Sequence, residues 1–190
     1  MGDNGGRIRG NNNIITFYNV HDDGPSSNCV MEHSSDGKTW TDVSKNVCRN
    51  SDDSYGRGCY IQKVFWGNNK FIAFVAYFNE ENYSYTELYT AYSSDGKNWT
   101  SVKKNIPCGV SDIIFGNNKF VAVADGLCDR GPIPPWVDRK MIPMMAYSSN
   151  GITWTTVKNY PFGKSATTKI VYGNGVFVAV SEDGKIAYSK

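Results

Sequence analysis

The sequence lacks any apolar run near the ~20 residues that a membrane-spanning helix needs, and its opening Gly2-Asp3-Asn4-Gly5-Gly6 has no hydrophobic signal-peptide core. Membrane insertion is not expected, and export either does not use a standard signal or followed the removal of one. An excess of one charge is also missing. Lys and Arg total 20 against 18 for Asp and Glu, a formal balance of +2 with no long basic run. A nucleic-acid binder needs a basic stripe to neutralise phosphates, so nucleic acid is not an expected partner. Histidine is scarce, and His21 and His33 belong to no recognisable catalytic triad. The five cysteines, Cys29, Cys48, Cys59, Cys108 and Cys128, contain no Cys-x-x-Cys and no histidine at finger spacing. Neither a metal site nor a cofactor is expected from them.

What the chain does hold is repetition. Ser34-Ser35-Asp36-Gly37-Lys38-Thr39-Trp40-Thr41 returns as Ser93-Ser94-Asp95-Gly96-Lys97-Asn98-Trp99-Thr100 and as Ser148-Ser149-Asn150-Gly151-Ile152-Thr153-Trp154-Thr155. An active site is needed once and a turn in every unit of an array, so the phrase reads as a structural joint. Ser and Asp side chains bond nearby backbone groups, Gly supplies a positive φ, and the Trp lays an apolar face over the turn. Asn150 can make the bond of Asp36 and Asp95 without their charge. These three residues, with Trp40, Trp99 and Trp154 in equivalent positions, are therefore assigned to turn structure.

A second phrase alternates with the first: Gly67-Asn68-Asn69-Lys70-Phe71, Gly116-Asn117-Asn118-Lys119-Phe120 and Gly173-Asn174-Gly175-Val176-Phe177, with Gly10-Asn11-Asn12-Asn13-Ile14 as a degenerate copy. Gly-Asn with an apolar residue on either side is a hairpin signal, so Lys169 to Tyr172 and Val176 to Ser181 read as paired strands. A third strand follows (Thr90 to Ser93, Ile186 to Ser189), and a fourth begins at each Trp. The spacing predicts four-stranded units at about 7–46, 60–104, 109–159 and 167–190 within one domain, 1–190. The last unit stops before its fourth strand.

On these residues the chain resembles the Asp-box, or BNR, repeats of sialidase-type β-propellers. The box here is the short form, with Gly directly after Asp, associated with bacterial and phage tail or surface proteins. The resemblance implies an all-β fold: a β-propeller of about four four-stranded antiparallel blades with Asp-box turns, the last blade incomplete. Such a ring closes alone, within a larger ring, or by homo-oligomerisation. The resemblance also implies an extracellular or virion-associated setting.

In such a ring the connections between second and third strands, and between blades, share the face opposite the boxes, and here those connections are the long ones. They are His21 to Asn28, Phe78 to Glu87, Asp125 to Met141 and Lys45 to Tyr60. Long loops on a rigid frame are where binding sites are built. Tyr55, Arg57, Tyr83, Arg130, Trp136, Asp138 and Arg139 lie in them, a set of aromatic and charged groups able to stack a sugar ring and bond its hydroxyls. All five cysteines map there too, where Cys48–Cys59 and Cys108–Cys128 bridges, leaving Cys29 over, would pin the loops. The expected function is a non-catalytic binding module for a carbohydrate or cell-surface receptor. The alternatives are a protein-interaction scaffold and a sialidase-like glycoside hydrolase. Against the hydrolase, Arg7-Ile8-Arg9 lacks the proline of the sialidase Arg-Ile-Pro motif, and no catalytic residue is assigned.

Overall fold

The computed structural model describes residues 5–21, 27–48, 58–79, 84–103, 109–125 and 143–189, in two compact units that divide after Lys103. The first unit holds two sheets. One runs β1 (Gly5–Gly10), β2 (Asn13–His21), β3 (Ser27–Ser34), β4 (Thr41–Asp42), and the other β5 (Gly58–Gly67), β6 (Lys70–Asn79), β7 (Ser84–Ser93), β8 (Thr100–Lys103). The second unit holds β9 (Val110–Gly116), β10 (Lys119–Ala124), β11 (Met144–Ser148) and β12 (Thr155–Thr156) in one sheet, and β13 (Thr167–Gly173), β14 (Val176–Ser181) and β15 (Ile186–Ser189) in the other. Every strand pairs antiparallel with its neighbours in chain order. The chain is all-β, in four antiparallel sheets.

Each sheet starts with a hairpin whose two turn residues both have positive φ: Asn11 and Asn12, Asn68 and Asn69, Asn117 and Asn118, Asn174 and Gly175. That is a type I′ turn, which matches the right-handed strand twist and which Asn and Gly enter at little cost. An aromatic pair closes three of these hairpins, Trp66 on Phe71, Phe115 on Phe120 and Tyr172 on Phe177, with centroids 4.5, 4.6 and 4.6 Å apart. In the degenerate first hairpin, Arg9 faces Ile14 instead.

The strands run further than their composition suggests. The pairs Asn79↔Ser84 and His21↔Ser27 continue the ladders, so Phe78, Glu87, His21 and Asn28 belong to strands rather than loops. The outer strands start one residue after Trp40, Trp99 and Trp154, not at them. The Trp99 indole is turned back over the turn and donates to Gly96 O at 2.8 Å. Of the expected loop Lys45 to Tyr60, Lys45 to Val47 lie in a helical turn, α1 (Ser44–Val47), and Gly58 to Tyr60 in β5.

Within each unit the second sheet lays its first strand on the first sheet. β5 lies against β1, β2 and β3, and β13 against β9 and β10. β6 is buried on both faces, Phe71 to Tyr77 without a break. The approach is close enough to demand glycine: a methyl on Gly10 would overlap the Trp66 ring, and one on Gly116 the Tyr172 ring, whereas nothing lies within 4 Å of one on Gly173. Gly116→Ala is expected to cost about 1–3 kcal/mol as overpacking, and Gly173→Ala less than about 0.5 kcal/mol. Urea denaturation of the two variants checks this; equal losses would contradict the stacking.

Candidate functional site

The seven candidate ligand-binding residues, Tyr55, Arg57, Tyr83, Arg130, Trp136, Asp138 and Arg139, lie outside the described residues. Topology still says which strand ends they join. Segments 22–26, 80–83 and 126–142 link second to third strands, and 49–57 links the end of α1 to β5. In an antiparallel sheet these connections leave from the end opposite the hairpin and Ser-Ser-Asp-Gly turns.

The turns are held by their own side chains. Asp36 Oδ1 accepts the Lys38 and Thr39 backbone N–H groups at 2.8 Å each, and Ser34 Oγ accepts the Gly37 N–H at 2.8 Å. Asp95 accepts from Lys97 and Asn98 at 2.9 and 2.8 Å, and Asn150 from Ile152 and Thr153 at 2.8 and 2.9 Å. The glycines sit at φ of 75°, 75° and 74°. An amide oxygen thus takes the same two bonds as a carboxylate. The Thr39 and Lys38 N–H groups, with Ser34, hold the Asp36 carboxyl down at about 2. Burial pushes Asp95 up, but the bonds from Asn98, Lys97 and Ser93 outweigh it and keep its carboxyl well below the usual range. Both carboxylates are committed to backbone.

A related turn escaped the sequence reading. Ser181-Glu182-Asp183-Gly184-Lys185 has the same Ser-x-Asp-Gly spacing, and Ser181 Oγ donates to Asp183 while Lys185 pairs with it at 2.6 Å. It joins β14 to β15, making that connection short.

The three tryptophans share a backbone position but not a cover. Trp99 and Trp154 are buried, with Phe71 and Phe120 at ring distances of 6.4 and 6.5 Å. Trp40 is half-buried; Ile14 stands in the place of Phe71 and Phe120, and the Arg7 guanidinium lies over the Trp40 ring at 5.5 Å.

His33 is buried, its Nε2 2.7 Å from Asn13 Oδ1. Burial, and then the Lys97 charge, hold its imidazole below the ordinary value of 6.5, against a smaller opposing pull from Asp95. The unfolded chain therefore takes up a proton that the folded chain refuses. Stability associated with this group is complete above about pH 6.5 and is lost as pH falls below it. Denaturant midpoints measured from pH 7 to 5 should fall in the parent and stay flatter in His33→Gln; the same slope in both would remove His33 as the cause.

Three cysteines that are far apart in sequence meet in the core. Cys29, Cys48 and Cys59 are all buried, their sulfurs within 4.8 Å of one another. Cys48 lies in bonding contact with both others, yet a sulfur forms one disulfide. The Cα separation decides between them: 6.1 Å for Cys48–Cys59 falls in the bridging range, and 7.8 Å for Cys29–Cys48 lies outside it. The bridge is Cys48–Cys59, with the Cys29 sulfur 2.9 Å from Cys59. A disulfide and a thiol are neutral, which suits the surrounding Val43, Val47 and Ile61 better than three thiolates around a metal. Cys108 and Cys128 lie outside the described residues.

A cleft of about 400 Å³ opens in the second unit. Its floor is Phe177, Ala179 and Ala187, and Lys119, Tyr147 and Tyr188 stand at its edges. Tyr147 and Tyr188 are well exposed.

No family model and no curated protein matches the chain. Solved structures of similar fold include a protein of unknown function from Dyadobacter fermentans, 16% identical, with a TM-score of 0.57 over 96% of this chain and 61% of the other. Another belongs to work on the GH130 family of mannoside phosphorylases, which contains glycoside hydrolases that target β-1,2 mannosidic linkages in Candida mannan. It is 15% identical, with a TM-score of 0.54 over 94% of this chain and 59% of the other. A third is the α-L-arabinofuranosidase of Fusarium graminearum in complex with an iminosugar inhibitor, 16% identical, with a TM-score of 0.51 over 88% of this chain and 53% of the other. The chain spans 53% to 61% of the length of these structures. At such identities the likeness concerns fold: four antiparallel sheets of the kind found in β-propellers.

Proposed function

We propose that the chain is an Asp-box type propeller module that binds a carbohydrate, free or on a cell-surface receptor, without transforming it. On this reading the four sheets are blades, and the ligand sits on the segments carrying Tyr55, Arg57, Tyr83, Arg130, Trp136, Asp138 and Arg139. The observation that carries the proposal is the division of labour between the two ends of the first three sheets. Hairpin and Ser-Ser-Asp-Gly turns spend their polar groups on backbone at one end, while the segments with the candidate residues leave from the other, 49–57 and 126–142 being the long ones. Aromatic rings beside carboxylates and arginines suit sugar hydroxyls and their apolar ring faces.

The sugar-directed activities of the arabinofuranosidase and of the mannoside-targeting family support carbohydrate over other polar ligands. They also keep a hydrolase as the second reading. A glycan array probed with the purified chain, followed by product analysis on the retained glycan, separates the two. Retention without hydrolysis is expected; hydrolysis abolished by one carboxylate substitution would establish the enzyme instead.

A further inference from the structure

Cys29, Cys48 and Cys59 reach one place in the core of the first unit from three different elements. Cys29 stands in β3, Cys48 follows directly on α1, and Cys59 is the second residue of β5. All three are buried, and their sulfurs lie within 4.8 Å of one another. With Cys48 and Cys59 bridged, the third sulfur is a thiol held 2.9 Å from Cys59 and in contact with Cys48. A thiol kept against a disulfide is the starting arrangement for thiol–disulfide exchange, in which a thiolate bonds one sulfur and displaces the other.

Geometry selects which sulfur is attacked. Bonding Cys29 to Cys48 would need a shorter Cα separation than 7.8 Å, so attack on Cys59 is the productive one. Cys29 and Cys59 belong to β3 and β5, which pack on each other. The two bridges to Cys59 are also close in chain entropy. Cys48–Cys59 joins residues 11 apart and Cys29–Cys59 residues 30 apart, and closing the longer loop is disfavoured by only about fivefold, because the cost grows with the logarithm of loop length. Packing that brings both partners to Cys59 is enough to offset a difference of that size.

We propose that Cys29, Cys48 and Cys59 form an internal exchange site that decides which element, α1 or β3, is fastened to β5. In the first state Cys48–Cys59 ties α1 to β5 and Cys29 is the thiol. The Cys29 thiolate attacks Cys59 Sγ; the Cys29–Cys59 bond forms, the Cys48–Cys59 bond breaks, and Cys48 leaves as a thiolate. Cys29 gives up its proton before the attack and Cys48 takes one up after it, so the step consumes no oxidant or reductant. In the second state β3 is tied to β5 directly. α1 then keeps the buried Val47 and two hydrogen bonds, Asn46 Nδ2 to Lys97 O at 3.0 Å and Ser101 Oγ to Val47 O at 3.4 Å. A helical turn of four residues does not stand by itself, so α1 is the element whose protection follows the bridge. Burial beside Val43, Val47 and Ile61 disfavours the thiolate, which sets the exchange on the scale of minutes to hours.

The test maps the bridge in the intact chain purified without reductant. The free thiol is blocked with N-ethylmaleimide in guanidinium at about pH 5, where exchange is slow, and tryptic peptides are identified by mass spectrometry. Expected are two species within about tenfold of each other in amount, as the small difference in loop closure implies. One carries the label on Cys29 and a Cys48–Cys59 bridge, the other the label on Cys48 and a Cys29–Cys59 bridge. Chain reduced and refolded in a glutathione couple should reach the same ratio as chain never reduced. Cys29→Ala and Cys48→Ala hold the two states apart. The amides of Asn46 and position 48, bonded to Val43 O and Ser44 O, should exchange at least about tenfold faster in Cys48→Ala, and the difference should vanish when both variants are reduced. The mapping of the parent decides the matter even where a variant fails to fold. One species alone, a label on Cys59 or on all three cysteines, or a bridge from any of them to Cys108 or Cys128 would overturn the proposal. Ratios that differ between the two preparations, or equal α1 exchange in the two folded variants, would overturn it as well.

Discussion

Trp99→Ala is expected to cost about 3–5 kcal/mol, the range for emptying a well-packed aromatic site. The ring is 3% exposed, belongs to the core shared by the two sheets of the first unit, and closes the turn with its bond to Gly96 O. Its removal opens a void among residues that cannot collapse, because β6 and β7 on one side and α1 on the other are fixed by their own ladders and bonds. Trp40→Ala removes the same side chain from the same turn but from a half-buried place under Arg7, and should cost about 1–2 kcal/mol. Denaturant titrations of the pair decide the point. Equal losses would mean that the indole acts within its own turn and not as a plug between sheets.

Asn19→Ala should cost about 2–4 kcal/mol although it deletes only an amide. Asn19 lies in β2, 1% exposed, and its side chain bonds the backbone of Ile61 in β5 twice: Nδ2 donates to Ile61 O at 2.9 Å, and Oδ1 accepts the Ile61 N–H at 2.8 Å. The amide works as a short piece of strand for the inner edge of the second sheet. Without it two buried backbone groups lose their partners, and a buried unpaired group costs more than a bond contributes. Asn19→Asp keeps an acceptor for the N–H but sets a carboxylate against the Ile61 carbonyl, so it should not restore stability at neutral pH. A loss below about 0.5 kcal/mol for Asn19→Ala, the level of an ordinary surface change, would show that water replaces the clip. The second unit ties the corresponding strands differently: Ser111 Oγ donates to Thr167 O at 2.7 Å, and Asp112 accepts from Ile170 N–H and pairs with Lys169.

Those clips mark the limit of what the sequence discloses. The hairpins were legible because Gly-Asn between apolar residues recurs in every unit, and Asn and Gly are the residues that enter positive φ at little cost. The Ser-Ser-Asp-Gly turns were legible because the bonds that hold them run over two or three residues. Local chemistry leaves local signatures. Asn19 carries none, since its partner is 42 residues away and a lone Asn in an apolar strand looks like a strand end. The meeting of Cys29 with Cys48 and Cys59 likewise depends on β3, α1 and β5 converging, which no spacing rule reports. Ser181 to Lys185 did have a local signal, but it falls between second and third strands, whereas the three repeated phrases fall between third and fourth. The binding residues were read from loop length and composition alone, a pattern that says where recognition can be mounted but not what it grips.

The most direct test of the account is therefore a calorimetric titration of the glycan retained on the array into the parent chain, Trp136→Ala, and Trp136→Ala combined with Tyr55→Ala. The account predicts that Trp136→Ala loses ~1–3 kcal/mol of binding, the range for one well-placed aromatic contact, while the melting temperature stays the same. Unchanged affinity in the double variant, or a glycan whose binding is lost only with a folded turn variant such as Asp95→Asn, would contradict it.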